Sequence, residues 1–138
     1  MTFVRAAYNC CMETTQDVAW VVAGQFLDAL TRRDFDALEA CLDDGVRFRA
    51  LVPRGPFELE GASGVTERFR FWFGDKTAFE LLDAAIGQVG SRVYLRWRFA
   101  TEIGVVEQHA FATGRDRIES LDLMCSGFQV PDKRSCHV

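Results

Sequence analysis

The sequence contains no apolar run that approaches the ~20 residues of a transmembrane helix. It also lacks the clusters of Lys and Arg that mark nucleic-acid-binding surfaces, because 20 acidic residues outnumber 16 basic ones and the net charge is −4. We therefore expect neither a membrane nor a nucleic acid as a partner.

Cysteine motifs for metals and disulfides are missing as well. The sequence has no Cys-x-x-Cys pair, and its five cysteines form an odd set with no signal peptide before them. Cys10 and Cys11 are adjacent, so a disulfide between them would close a strained ring, and His109 and His137 lie far from any paired cysteines. The pattern predicts a cytoplasmic protein with reduced thiols and no metal site.

What the chain does have is enough apolar material for one core. Its 138 residues are 49% hydrophobic, and a domain of this length buries roughly two-thirds of its unfolded surface. Residues 14–128 are predicted to form the single domain. Residues 1–13 are expected to be a loose N-terminal arm, and residues 129–138 a flexible C-terminal tail.

Apolar residues at three- and four-residue spacing predict three helices in the N-terminal half. Thr14 or Thr15 is the expected N-cap of the first helix, and Asp34 that of the second. The third helix is expected to follow Ser63 as its N-cap and to end at Gly74.

Strand patterns follow the helices. In the run after Arg92, the apolar residues Val93, Leu95, Trp97 and Phe99 alternate with polar ones, which is typical of a strand with one buried face. Similar patterns predict strands over 46–52, 57–60, 77–89, 105–112 and 118–124. Because most consecutive strands are joined by turns and can pair antiparallel, the order predicts an α+β fold.

The chain resembles a known family in several of these segments. They are residues 26–30 (FLDAL), 34–38 (DFDAL), 43–48 (DDGVRF), Gly61, 114–118 (GRDRI) and 121–123 (LDL). Over about residues 15–128 the sequence is similar to nuclear transport factor 2-like proteins, and within them to the SnoaL-like polyketide cyclase and ketosteroid isomerase group. The resemblance implies a cone-shaped, strongly curved, mixed or antiparallel sheet wrapped around three helices. This scaffold carries isomerases, dehydratases, epoxide hydrolases, cyclases and non-catalytic binders.

Ketosteroid isomerase activity is not expected. That chemistry needs a carboxylate base, together with a tyrosine and a protonated aspartate that donate hydrogen bonds to the oxyanion. The resemblance implies that Phe26 occupies the place of the tyrosine, Ala50 that of the base and Gln108 that of the acid. None of the three can supply the required group.

One candidate catalytic pair remains. If residues 114–117 form a four-residue hairpin loop, His109 faces Asp122, and their Cβ atoms are ~5 Å apart. A carboxylate holds the tautomer of a neighbouring imidazole, as a general acid or base requires. Some SnoaL-like cyclases are thought to use a His and an Asp from the last strands, and these two residues match that pair. The alternatives are a structural or interface pair on the convex face of the sheet, and an unpaired histidine on the surface.

The loop at residues 102–104 decides which side of the hairpin lines the cone. A two-residue loop places Gln108 beside Trp97 or Phe99, whereas a three-residue loop or a glycine bulge places His109 there. The hydrophobic pattern favours Gln108 as the inward residue, and the sequence leaves both arrangements open.

The expected site is a pocket between the first and third helices and the concave sheet. Its predicted lining is Phe26, Phe48, Trp72, Leu95, Trp97, Gln108 and Leu123. We expect it to bind a small apolar molecule, either as a cofactor-free cyclase, isomerase or dehydratase, or as a non-catalytic ligand-binding or dimeric assembly module. The resemblance also implies a homodimer that forms through the convex face of the sheet.

Overall fold

The computed structural model of this chain describes residues 10–130, and in the first helix it describes side chains from Ala19 onward. Within this part of the chain it contains the helices α1 (Cys10–Arg32), α2 (Phe35–Ala40) and α3 (Ala62–Phe73). The strands are β1 (Leu42–Val52), β2 (Gly55–Glu60), β3 (Phe79–Val89), β4 (Arg92–Thr101), β5 (Gly104–Gly114) and β6 (Ile118–Cys125). The predicted α+β class is confirmed. Residues 1–9 of the predicted arm and 131–138 of the predicted tail lie outside the described residues.

Two of the three predicted helix starts are wrong. Helix α1 begins at Cys10, so Thr14 and Thr15 lie inside it rather than at its N-cap. No Gly or Pro interrupts the residues before them, and the helix can therefore extend further toward the N-terminus. Helix α3 begins after Gly61, whose φ of 101° suits glycine, and Ser63 is already helical. Asp34 caps α2 as predicted, because its side chain accepts a hydrogen bond from the backbone N–H of Ala37 at 3.1 Å.

The six strands form one mixed sheet in the order β2-β1-β6-β5-β4-β3. All neighbours pair antiparallel except β1 and β6, which are parallel. Strand β1 starts at Leu42, four residues before the predicted Val46, because Leu42 pairs with Ile118 of β6. The register shifts between Leu42 and Arg47, so the residues between them form an irregularity inside β1.

The three helices cover one face of the sheet, which we call the inner face; the opposite face is the outer face. Helix α1 contacts β3, β4, β5 and β6, whereas α3 contacts β1 and β2. Aromatic side chains fill the space between the layers, and Phe26, Phe48, Phe69, Phe73 and Trp97 are all fully buried. No helix within residues 10–130 is long and apolar enough to span a membrane.

The β4–β5 turn has a two-residue loop, because Thr101 pairs with Gly104 across it. Gly104 has a φ of 134°, and a Cβ atom there would lie 2.8 Å from the carbonyl oxygen of Gln129, so the turn requires glycine. This loop places Gln108 opposite Trp97 and points its side chain inward, with no exposed surface. Of the two arrangements that the sequence left open, the structure has the two-residue loop, with Gln108 on the inner face.

The predicted register of the β5–β6 hairpin is wrong by two residues. His109 pairs with Met124, and Asp122 pairs with Phe111. Two differences add up to this shift. Gly114 pairs with Ile118, so the loop has three residues instead of four. The next pair is Thr113 with Ser120, so a bulge leaves one residue of β6 without a partner. The predicted facing pair of His109 and Asp122 does not form.

Candidate functional site

The seven residues predicted to line a pocket do meet in space, on the inner face and on the helices above it. Six are buried to 3% exposure or less, and Trp72 is partly buried against the same cluster. The ring centroids of Phe26 and Trp97 are 6.1 Å apart, and those of Phe48 and Trp72 are 6.4 Å apart. These side chains therefore pack directly against one another as part of the core.

A short polar chain crosses this aromatic core. The indole Nε1–H of Trp97 donates to Oε1 of Gln108 at 2.7 Å. The amide Nε2–H of Gln108 donates to Sγ of Cys125 at 3.2 Å, and the backbone N–H of Gly127 reaches the same sulfur at 3.3 Å. Both ends of the Gln108 amide are therefore engaged, which fixes its orientation.

The buried side chains on the helix-covered side of the sheet offer no acid–base group among the described residues. Among residues 19–130 the buried polar side chains are Thr66 and Gln108, and neither carries a group that ionises near neutral pH. The Oγ1 atom of Thr66 is buried and has no hydrogen-bond partner. These two buried polar groups cannot transfer protons as a general base does.

His109 lies on the outer face, away from the helices. The hydroxyl of Tyr94 lies 2.7 Å from Nδ1 of His109, and Nε2 lies 2.6 Å from Oε2 of Glu107. A proton on Nε2 satisfies all three side chains, with Tyr94 donating to Nδ1 and His109 donating to Glu107. The second oxygen of Glu107 lies 3.8 Å from Arg98.

Sequence reasoning missed both partners of His109. Glu107 precedes it by two residues on the same strand and therefore shares its face, which is a signal that the sequence contains. Tyr94 could be found only through the β4–β5 register, which places Tyr94 opposite Phe111 and diagonal to His109.

Asp122 is paired with Arg49 rather than with His109. Nε and Nη2 of Arg49 donate to the two carboxylate oxygens of Asp122, both at 2.8 Å. These hydrogen bonds are the main reason why the pKa of Asp122 is lowered from its ordinary value. The predicted catalytic pair is thus divided between two separate outer-face networks.

Two open grooves run along the outer face beside these networks. One has a volume of about 600 Å³ and the other about 470 Å³, and they share Leu51, His109 and Met124 in their walls. Leu51 and Met124 pair with each other across the parallel β1–β6 contact. They are 50% and 56% exposed, and we refer to these two side chains as the Leu51–Met124 patch.

Comparison with protein families identifies the fold. The family model for the SnoaL-like domain matches residues 23–134. The chain is a member of the SnoaL-like family. Its sequence matches none of the curated proteins with which it was compared.

Solved structures with the same fold have diverse names. An NTF-2 like protein of unknown function from Burkholderia xenovorans is 17% identical with a TM-score of 0.65, and the match covers 90% of this chain and 95% of that one. A putative polyketide cyclase from Xanthomonas campestris is 19% identical with a TM-score of 0.62, covering 80% and 91%. An LEH-like epoxide hydrolase from M. tuberculosis is 20% identical with a TM-score of 0.60, covering 80% and 84%. At these identities the SnoaL-like chain shares the fold, and the neighbours' reactions do not transfer to it.

Proposed function

We propose that this SnoaL-like chain is a non-catalytic module that assembles as a homodimer through the outer face of its sheet. The observation that carries the proposal is the Leu51–Met124 patch, in which two apolar side chains lie half exposed on neighbouring strands, near the ends of β1 and β6. Fully burying such a side chain is worth roughly 1.5–3 kcal/mol. A second copy can supply the cover, since identical patches meet across a twofold axis.

The charges on the outer face are compatible with such a contact. Arg49 is paired with Asp122 and Arg96 with Asp83, both at 2.8 Å. Paired charges lose less on desolvation than isolated ones, and both signs are present for a self-complementary surface. The proposed setting is the cytoplasm, where thiols such as the free Cys41 and Cys125 stay reduced.

Sedimentation velocity tests the dimer. At tens of micromolar the wild type is expected to sediment as a dimer, since sheet interfaces of standard size, roughly 800 Å² per partner, survive such dilution. Leu51→Arg places a charge in the patch and is expected to yield monomers. Ile103→Arg is the matched control, because Ile103 is also an exposed apolar residue, 46% accessible, but lies in the β4–β5 turn. A monomeric wild type would contradict the proposal, and so would equal dissociation of both variants.

A second candidate function is the binding of a small apolar molecule within the cone, as a cofactor-free cyclase, isomerase or dehydratase, or as a carrier. The unpartnered Oγ1 of Thr66 favours it, because a buried hydroxyl without a partner costs free energy that a ligand could recover. The names of the cyclase and epoxide hydrolase neighbours agree with a small-molecule role on this fold.

Thermal-shift screening with flat polycyclic and terpenoid compounds separates the two functions. A ligand held in the cone is expected to raise the melting temperature of the wild type and to lose that effect in Thr66→Val, whereas His109→Gln on the outer face retains it. Product analysis with each hit then distinguishes a carrier from an enzyme. If no compound binds, the second candidate fails and the dimer proposal is unaffected.

A further inference from the structure

Besides the two grooves, the outer face has a cavity that is lined by arginines and hydroxyl groups. It is a small concavity of about 120 Å³, which we call the arginine pocket. Its walls are Arg47, Arg49, Arg92, Phe111, Thr113, Ser120 and Asp122.

Strand register explains why these side chains converge. Arg47 of β1 pairs with Ser120 of β6, and Ser120 pairs with Thr113 of β5. Arg92 is the first residue of β4, and the residue after it, Val93, pairs with β5. Neighbouring strands are ~4.8 Å apart, so two guanidinium groups flank two hydroxyl groups that are hydrogen-bonded to each other.

The arginine pocket has an excess of positive charge. Arg49 is committed to Asp122 through two hydrogen bonds. Arg47 and Arg92 form no side-chain hydrogen bond or ion pair with any residue of the described part of the chain, although both lie close enough to help lower the pKa of Asp122 after Arg49. Three cations against one anion stand out in a protein whose net charge is −4.

The neighbouring carboxylates do not neutralise the free arginines. Glu60 and Glu58 of β2 pair in register with Arg47 and Arg49. Both glutamates are exposed, and neither forms an ion pair with a described arginine. The guanidinium groups of Arg47 and Arg92 are therefore available to a ligand from solution.

We propose that the arginine pocket binds the phosphate group of a phosphate monoester. A guanidinium group presents a planar fork of donors that matches phosphate oxygens, and hydroxyl groups such as those of Thr113 and Ser120 add further donors. A volume of about 120 Å³ equals that of about four water molecules. It holds a single tetrahedral oxyanion and leaves the organic part of the ester outside.

The arginine pocket and the Leu51–Met124 patch lie on the same face of the sheet but consist of different residues. Arg47 and Leu51 are four residues apart on β1, which corresponds to roughly 13 Å along the strand. The proposal therefore does not rest on the dimer, and failure of one leaves the other in place.

Isothermal titration with phenyl phosphate and benzoate, in a low-salt buffer free of phosphate, tests the pocket. The wild type is expected to bind phenyl phosphate saturably and benzoate more weakly, because benzoate lacks the third oxygen. The double variant Arg47→Gln/Arg92→Gln is expected to bind phenyl phosphate at least about tenfold more weakly. This is the order expected for the loss of charge-assisted hydrogen bonds. Arg54→Gln, which removes an exposed arginine from the β1–β2 turn, is the matched control and is expected to bind as the wild type does.

Three results would overturn the proposal: no saturable binding of phenyl phosphate by the wild type, equal affinities in the double variant, or benzoate binding as tight as that of phenyl phosphate. Thermal unfolding curves establish that each variant is folded. If the double variant is unfolded, the single variants Arg47→Gln and Arg92→Gln replace it, each with a smaller expected loss of affinity.

Discussion

The indole N–H of Trp97 donates a 2.7 Å hydrogen bond to the side-chain oxygen of Gln108, and both side chains are fully buried. Removing the amide leaves a buried donor without an acceptor, which costs about 1–3 kcal/mol. Gln108→Leu is therefore expected to lower the free energy of unfolding by that amount, measured by urea denaturation.

The double variant separates the hydrogen bond from packing. Trp97→Phe alone leaves Gln108 without its donor, whereas Trp97→Phe/Gln108→Leu removes both partners. The double variant is expected to lose less stability than the sum of the two single losses, because it removes the indole donor and the amide acceptor together. Strict additivity would show that the hydrogen bond contributes nothing.

Glu102 should govern part of the acid sensitivity of the fold. Its carboxylate accepts hydrogen bonds from the backbone N–H groups of Ala78 at 3.0 Å and Thr77 at 3.1 Å. These bonds lower its pKa from an ordinary 4.5 to about 2. Because the folded-state pKa is the lower one, the stabilisation is complete above the unfolded-state pKa and is lost as the pH falls toward the folded-state value.

Glu102→Gln should therefore melt at a lower temperature than the wild type near neutral pH, with the difference shrinking as the pH falls through about 4.5 toward 2. Differential scanning calorimetry across this range measures the effect. Glu80→Gln serves as the control, because Glu80 is exposed on β3 and its carboxylate accepts no hydrogen bond from a described residue. A Glu102→Gln difference that is constant with pH would contradict the linkage.

The partners of His109 predict a specific tautomer. With Tyr94 donating to Nδ1 and Glu107 accepting from Nε2, the neutral ring should carry its proton on Nε2. Nitrogen-15 NMR of the imidazole under basic conditions reports this directly. Glu107→Ala is expected to change the tautomer populations, whereas Asp122→Asn leaves them unchanged. The reverse outcome would restore the pairing of His109 with Asp122 that the sequence alone suggested.

Much of the fold could be predicted because its signals are local. Alternation along Val93 to Phe99 located β4, and the Asp34 side chain marked the start of α2. The helix starts were less accurate, since Thr14 and Ser63 are competent caps but also tolerate helix interiors. The preference of a residue type for the N-cap position does not identify which threonine or serine begins the helix.

The candidate site was harder to predict because it depends on register. A loop one residue shorter than expected and one unpaired residue after Ile118 together placed Met124 opposite His109 and Phe111 opposite Asp122. Such a bulge depends on the pairing of two strands and on the parallel contact with β1, neither of which a single strand's pattern records. The inward position of Gln108 was favoured by the apolar pattern around it, since a whole face must be buried together.

The most direct test of the outer-face dimer is an isotope-filtered NMR experiment on a mixture of labelled and unlabelled chains. With ¹³C-methyl methionine, the methyl group of Met124 reports from the centre of the Leu51–Met124 patch, where it is 56% exposed in the single chain. We predict intermolecular NOEs from this methyl group in the wild type and their loss in Leu51→Arg. A wild-type dimer without intermolecular NOEs at Met124 would contradict the account.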